Sequence, residues 1–173
     1  DWKIQPFAKE AILWTQDLLD DEDLKWLREL PLTLNFEDIQ FVHSSLEGTD
    51  GTFWPYVLSP QTALLHFFLQ TSKFSFNGHT HVPLLFSYDG FQISMTYLRS
   101  QKFNKKLKRK YLINCGSVGQ PRDNDQRASF VVFDTKTHEL THMRSAYDVE
   151  KAQKRIVDAG LPEILAKRLS HGF

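Results

Sequence analysis

The sequence is poor in cysteine, in charge imbalance and in long apolar runs, and each deficit excludes a class of protein. One cysteine in 173 residues leaves no partner for an internal disulfide, which favours a reducing compartment. Basic and acidic residues number 21 each and the formal net charge is zero, so global charge gives no argument for nucleic acid or an anionic membrane as partner. No apolar run reaches the roughly 20 residues of a membrane span, and no signal-peptide pattern opens the chain. We therefore expect a cytoplasmic protein.

The composition otherwise indicates a folding sequence of ordinary size. Apolar residues make up 41% and aromatic residues 13%, with fourteen phenylalanines and four tryptophans, which is enough apolar mass to bury a core. The chain opens at Asp1 without a methionine and runs almost at once into a helical pattern. This beginning suggests a fragment, a processed chain or one lacking its first part.

Apolar periodicity predicts helices alternating with short strands. The predicted helices cover residues 6–19, 24–30, 60–72, 148–159 and 161–169. The predicted strands cover 32–36, 39–42, 74–76, 84–87, 91–98, 111–114, 129–134 and 138–146. Internal repeats, low-complexity tracts and linkers are missing from the sequence. We expect residues 1–173 to form a single α/β domain or part of one.

The most informative stretch is residues 77–83, Asn-Gly-His-Thr-His-Val-Pro. Its two histidines, His79 and His81, are preceded by Gly78 and followed by Pro83. This composition suits a loop at a strand end better than a packed core. Neutral imidazole is the commonest transition-metal ligand among side chains, so one interpretation is a metal site. The other is a solvated turn with two incidental histidines, because a His-x-His spacing is a weak pattern by itself.

A third histidine, His43, stands in a comparable place after the predicted strand at 39–42. If that strand and the strand at 74–76 are neighbours in one sheet, the loops at their carboxyl ends meet. Three imidazoles converging there suit Mn, Fe, Zn or Ni. They still lack the oxygen ligands that a hydrolytic centre needs.

Three loops carry less specific signals. The aromatic-rich loop at 47–56 either plugs an edge of the core or lines a pocket. The basic run at 102–110 is an exposed loop or an anion-attracting rim beside a site. The loop at 115–122, Cys-Gly-Ser-Val-Gly-Gln-Pro-Arg, could turn backbone amides toward a phosphate, or it could be a tight crossover between strands.

Together these motifs resemble the calcineurin-like metallophosphoesterases. Gly-His-Thr-His-x-Pro at 78–83 is similar to the last metal motif of that family, and His43 is similar to its isolated histidine. Residues 114–127 and 147–168 resemble the YfcE-like branch of small phosphodiesterases and phosphatases. The helices before Pro31 resemble the segment that follows that family's Gly-Asn-His-Asp motif, so the resemblance covers nearly the whole chain.

The resemblance implies an αββα sandwich, with mixed β-sheets flanked by helices around a dinuclear metal centre. His43 and His79 would bind one divalent ion and His81 the other, with manganese, iron, zinc or nickel as the metal. In such centres a bridging hydroxide attacks phosphorus while both cations neutralise the developing charge. The implied reaction is hydrolysis of phosphomonoesters or phosphodiesters.

The departures from the family pattern qualify that expectation. The motifs Asp-x-His, Gly-Asp-x-x-Asp and Gly-Asn-His-Asp do not appear, so we expect the chain to be the carboxyl-terminal portion of the domain. It would hold only the histidine half of the site and be inactive alone. Cys115 replaces the family's usual proline, and we expect a buried structural thiol there.

Two other functions compete with hydrolysis. One is a non-catalytic interaction module on the same fold. The other is nucleic-acid binding through residues 102–110, which we disfavour because Phe103 and Tyr111 alone offer rings for base stacking there.

Overall fold

The computed structural model describes residues 5–48, 51 and 53–173. The chain opening at 1–4 and part of the aromatic-rich loop at 47–56 lie outside the described residues. The helices are α1 (Pro6–Leu18), α2 (Asp21–Glu29), α3 (Pro60–Leu69), α4 (Val149–Asp158) and α5 (Glu163–His171), with a short 3-10 helix at Leu46–Gly48. The strands are β1 (Thr33–Phe36), β2 (Ile39–Val42), β3 (Phe74–Asn77), β4 (Leu84–Tyr88), β5 (Ile93–Tyr97), β6 (Gln101–Lys102), β7 (Lys110–Asn114), β8 (Ala128–Asp134) and β9 (Glu139–Ser145).

Local capping signals account for where two of the helices begin. The Asp20 side chain accepts a 2.8 Å hydrogen bond from the Asp23 amide at the start of α2, as an N-cap does. At α3 a capping box joins Ser59 and Thr62, with Pro60 in the first turn. Asp20 therefore caps α2, and Asp21, Glu22 and Asp23 occupy its first turn, where acidic side chains are favourable.

The strands form a six-stranded sheet in the order β1-β2-β3-β7-β4-β5 and a three-stranded sheet in the order β6-β9-β8. The three strands β2, β3 and β7 run parallel to one another, while β1, β4 and β5 pair antiparallel. The carboxyl ends of β2, β3 and β7 consequently meet at one edge. This confirms the predicted adjacency of the strands that precede His43 and His79.

Strand alternation divides the apolar residues between two cores. Phe74, Phe76 and Ile113 point toward the second sheet, where buried Leu140 and partly buried Phe133 meet them. Leu84, Phe86 and Leu112 point to the opposite face and pack under Phe67 of α3. This arrangement of one mixed sheet and one antiparallel sheet flanked by helices confirms the predicted α/β fold class.

One apolar face remains uncovered in the described part of the chain. Helices α1 and α2 bury no residue, and a groove of about 850 Å³ extends from α2 toward β8. Its lining includes Leu30, Leu34, Phe41, Phe76, Val131 and Phe133, and it reaches His43 and Trp54. Strand β8 forms one edge of the second sheet, so its outward backbone groups are available for pairing.

Among the described helices, none has the length and apolar character that crossing a membrane requires.

Candidate metal centre

The site lies at the carboxyl ends of β2 and β3. The Gly78 amide donates a 3.0 Å hydrogen bond to the His43 carbonyl, which joins the two loops directly beyond their strands. His79 and His81 both adopt left-handed backbone conformations, with φ of 62° and 61°. That region is unfavourable for a residue with a side chain, and such strain often accompanies function.

Asn114, at the end of β7, holds these loops in place. Its side-chain amide donates to the Gly78 carbonyl and, at 2.9 Å, to the Thr80 hydroxyl. Its side-chain oxygen accepts from the Gly116 amide at 2.9 Å. With 1% of its surface exposed, Asn114 is a buried connector between the loops after β3 and β7.

His43 and His79 are in direct contact. Nε2 of His43 lies 3.0 Å from Nδ1 of His79, about the separation of two neighbouring ligands that each lie roughly 2.1 Å from one ion. Burial lowers the pKa of both imidazoles, which favours the neutral form that binds metals. Nε2 of His79 is buried and makes no hydrogen bond to the described residues, although the Trp54 carbonyl is near enough to raise the pKa of His79.

His81 has its tautomer fixed by a backbone oxygen. Nδ1 lies 2.7 Å from the Gln120 carbonyl, and because a carbonyl only accepts, Nδ1 carries the proton. Nε2 is then left with a free lone pair, the arrangement typical of a metal-binding histidine. Burial lowers the pKa of His81, with smaller effects from Gln120, which raises it, and from Arg122, His43 and Arg168, which lower it.

Aromatic and basic side chains surround the histidines. The Tyr56 ring lies 4.4 Å from that of His79 and the Trp54 ring 5.3 Å from that of His43, measured between centroids. Of the two interpretations of the aromatic-rich loop, its described part supports the one in which the loop lines a pocket. The Arg122 amide donates to the His81 carbonyl at 3.2 Å, which brings the loop at 115–122 to the same site.

The donor set fits the histidine portion of a metal centre, but not a single three-histidine site. Among the described residues, no three histidine, cysteine, aspartate or glutamate side chains are arranged to hold one ion. The structure brings His43 and His79 together as a close pair, and His81 follows two residues after His79 in the same loop. Cys115 is partly buried, and burial raises the pKa of its thiol to about 12, so it stays protonated at neutral pH.

Sequence reasoning missed several supporting residues. Arg122 lay in a loop already considered for phosphate contact, and Asn114 ended a predicted strand, so both offered a partial signal. Arg168 offered none, because it belongs to an amphipathic helix far along the chain from His81. Gln120 acts through its backbone carbonyl, which any residue could supply.

Comparison with known proteins adds to this geometry. No family model matches the chain. Over 164 residues it is 35% identical to an uncharacterized protein of Methanocaldococcus jannaschii, covering 94% of this chain and 65% of that protein. The chain thus spans just under two thirds of the length of this relative.

Two solved structures share the fold. A metallophosphoesterase from Sphaerobacter thermophilus superposes with a TM-score of 0.84 at 32% identity, over 99% of this chain and 69% of that one. A hypothetical protein from Pyrococcus horikoshii has a TM-score of 0.73 at 19% identity, over 99% of this chain and 62% of that one. The second likeness supports the fold alone.

Proposed function

The chain belongs to the metallophosphoesterases, and from this membership and its histidine pair we propose that the complete protein hydrolyses phosphomonoesters or phosphodiesters at a dinuclear metal centre. The single observation that carries the proposal is the 3.0 Å contact between Nε2 of His43 and Nδ1 of His79 at the ends of parallel strands. When bound, two divalent ions such as Mn, Fe, Zn or Ni would neutralise the charge that develops on the phosphoryl oxygens.

Each histidine has a distinct part in this proposal. His43 and His79 would hold one ion through the two nitrogens that lie 3.0 Å apart. His81 would hold the other through Nε2, because its Nδ1–H donates to the Gln120 carbonyl. The Gln120 carbonyl orients the His81 ring, as backbone acceptors do for metal-binding histidines.

We propose that the remaining ligands come from a part of the fold outside this chain, on the same polypeptide or on a partner chain. Two observations support this. The described residues bring no carboxylate into a three-ligand group with the histidines, whereas hydrolytic centres of this kind use oxygen ligands as well. The apolar groove also reaches His43, so a segment that filled it would end beside the metal ligands.

The second candidate function is a non-catalytic interaction module, which the incomplete ligand set favours. Metal analysis of the complete protein discriminates the two. Near-stoichiometric metal that is lost in His79→Ala supports the enzyme, while a metal-free protein with an intact fold supports the module. His171→Ala is a suitable control, because this exposed histidine at the end of α5 lies outside the histidine group.

The activity itself is tested with bis-p-nitrophenyl phosphate and Mn²⁺, comparing this chain with the complete open reading frame. We expect turnover by the complete protein, none by the chain alone, and none by the complete protein carrying His79→Ala. Turnover by the isolated chain that His79→Ala abolishes would refute the half-site proposal.

The single cysteine supports our further proposal of a cytoplasmic location.

A further inference from the structure

Arg122 is held beside His81 with part of its guanidinium group free. Its backbone amide binds the His81 carbonyl, while Nε and one terminal nitrogen donate to the Gln120 side-chain oxygen at 3.3 and 2.9 Å. Its other terminal nitrogen makes no hydrogen bond to the described residues. The Arg122 side chain is therefore anchored through Nε and one terminal nitrogen, and the other terminal nitrogen can still donate hydrogen bonds.

Arg168 reaches the same region from the last turn of α5. Its Nε donates to the Phe173 main-chain oxygen at 2.7 Å, and its guanidinium carbon lies 5.9 Å from the centre of the Phe7 ring. Both of its terminal nitrogens are without hydrogen-bond partners among the described residues. The fold thus orients Arg168 through Nε, while its two terminal nitrogens keep their hydrogen-bond donors available among the described residues.

Backbone contacts keep the two arginines together. The Asn124 amide donates to the Gly172 carbonyl at 2.9 Å, which ties the loop after Arg122 to the helix end that carries Arg168. Gly172 lies so close to this loop that a Cβ there would come within 2.7 Å of the Asp125 backbone. Burial first, and then the charge of Arg122, lower the pKa of Arg168, while the Tyr56 hydroxyl raises it.

Two other arginines nearby, Arg127 in the loop before β8 and Arg144 on β9, are neutralised by aspartates. Arg127 pairs with Asp125 at 2.6 Å, and Arg144 pairs with Asp123. Among the described residues no aspartate or glutamate side chain lies within 4.0 Å of Arg122 or Arg168, and the oxygen that Arg168 binds belongs to the main chain of Phe173. Two cations held near each other without an acidic side chain between them repel, and an anion bound there would relieve that repulsion.

We propose that Arg122 and Arg168 form a phosphate clamp that makes the protein prefer phosphomonoesters to phosphodiesters. The inference rests on the proposed function and deepens it. A phosphomonoester carries nearly two negative charges at neutral pH, whereas a diester carries one, so two fixed guanidinium groups favour the monoester. Arginine also suits the task because its planar fork binds two phosphate oxygens at once.

The clamp is tested by measuring kcat/KM of the complete protein with Mn²⁺ for p-nitrophenyl phosphate and for bis-p-nitrophenyl phosphate. In both Arg122→Gln and Arg168→Gln we expect the monoester value to fall by about tenfold or more, as for loss of a charged hydrogen bond. The diester value should fall by less than about threefold on the same basis. Arg168→Lys, which keeps the charge, should retain part of the preference.

A matched control is Arg109→Gln, which removes an arginine at the opposite end of β7 from Asn114 and should leave the monoester-to-diester ratio unchanged. A second measurement does not depend on turnover. Calorimetric titration of the complete protein with inorganic phosphate should give a Kd weakened by about tenfold in each glutamine variant and unaltered in the control.

The outcomes separate this inference from the proposed function. If the wild-type protein hydrolyses neither substrate, the proposed function fails, and the phosphate titration still decides the clamp. If it hydrolyses both but the arginine variants leave the substrate ratio or the phosphate affinity unchanged, the clamp is refuted. Should Arg168→Gln fail to fold, because Nε supports the chain end, Arg122→Gln decides the question alone.

Discussion

Protonation of the buried His66 should make the fold less stable in mild acid. His66 lies in α3 with 0% of its surface exposed, and its Nδ1 accepts a hydrogen bond from the Leu46 amide at 3.2 Å. This bond fixes the turn that follows His43. Burial, and after it the charge of Lys110, lower the pKa of His66 to about 4 from the 6.5 of a free side chain.

The direction of the effect follows from which state binds the proton. Between pH 6.5 and about 4 the unfolded chain takes up a proton at His66 and the folded protein does not, so stability rises with pH in that window. The part of the free energy of unfolding that depends on His66 is fully present above pH 6.5 and is lost as the pH falls toward 4. Each pH unit is worth about 1.4 kcal/mol, so lowering the pH from 7.5 to 5 should remove about 2 kcal/mol of the free energy of unfolding.

Urea unfolding followed by circular dichroism at these two pH values measures the loss. In His66→Asn the side-chain oxygen can replace Nδ1 as acceptor but does not titrate, so the pH-dependent loss should shrink by about 2 kcal/mol. His66→Leu should show the same flattening and also cost about 1–3 kcal/mol at neutral pH, because it leaves the Leu46 amide buried without a partner. Since the other histidines are common to all three proteins, equal pH dependence in wild type and His66→Asn would refute this account of His66.

Three further predictions follow from single residues. The Cys115 thiol, with its pKa raised to about 12 by burial, should react with a thiol-specific dye at pH 8 far more slowly than in urea; equal rates would show that the thiol is accessible. Ser59→Ala, which deletes the capping box of α3, should lower the free energy of unfolding by about 1 kcal/mol, whereas Ser170→Ala on the exposed face of α5 should change it by less than about 0.5 kcal/mol. Asn114→Ala removes the three hydrogen bonds of a buried side chain and should cost at least about 2 kcal/mol in urea unfolding; a smaller loss would contradict its role as connector.

The parts of the fold that sequence could predict are those with a local cause. Apolar alternation located β2 and β3, and the turn-forming residues beyond them located His43 and His79 at strand ends. The adjacency of these strands was an inference about long-range pairing, and the parallel register of Ile39 with Phe74 confirms it.

The unpredicted parts depend on contacts between distant segments. Strand β6 is two residues long and exists because it pairs with β9, so no local periodicity marks it. The basic run beyond β6 is partly ordered by Lys73, whose ammonium group donates to the Asn104, Lys105 and Leu107 carbonyls. Arg168 enters the site only because the chain end folds back onto the loop after Arg122, which its own helical pattern cannot reveal.

The left-handed backbones of His79 and His81 have a consequence for anyone who engineers this fold. Glycine adopts such φ values without the roughly 1–2 kcal/mol that a side chain adds, and asparagine is also enriched among residues with such values. Random variants selected for heat resistance would therefore be expected to accumulate glycine or asparagine at both positions. Selection for robustness alone would erase the two imidazoles, so a screen on this fold has to report metal binding together with melting temperature.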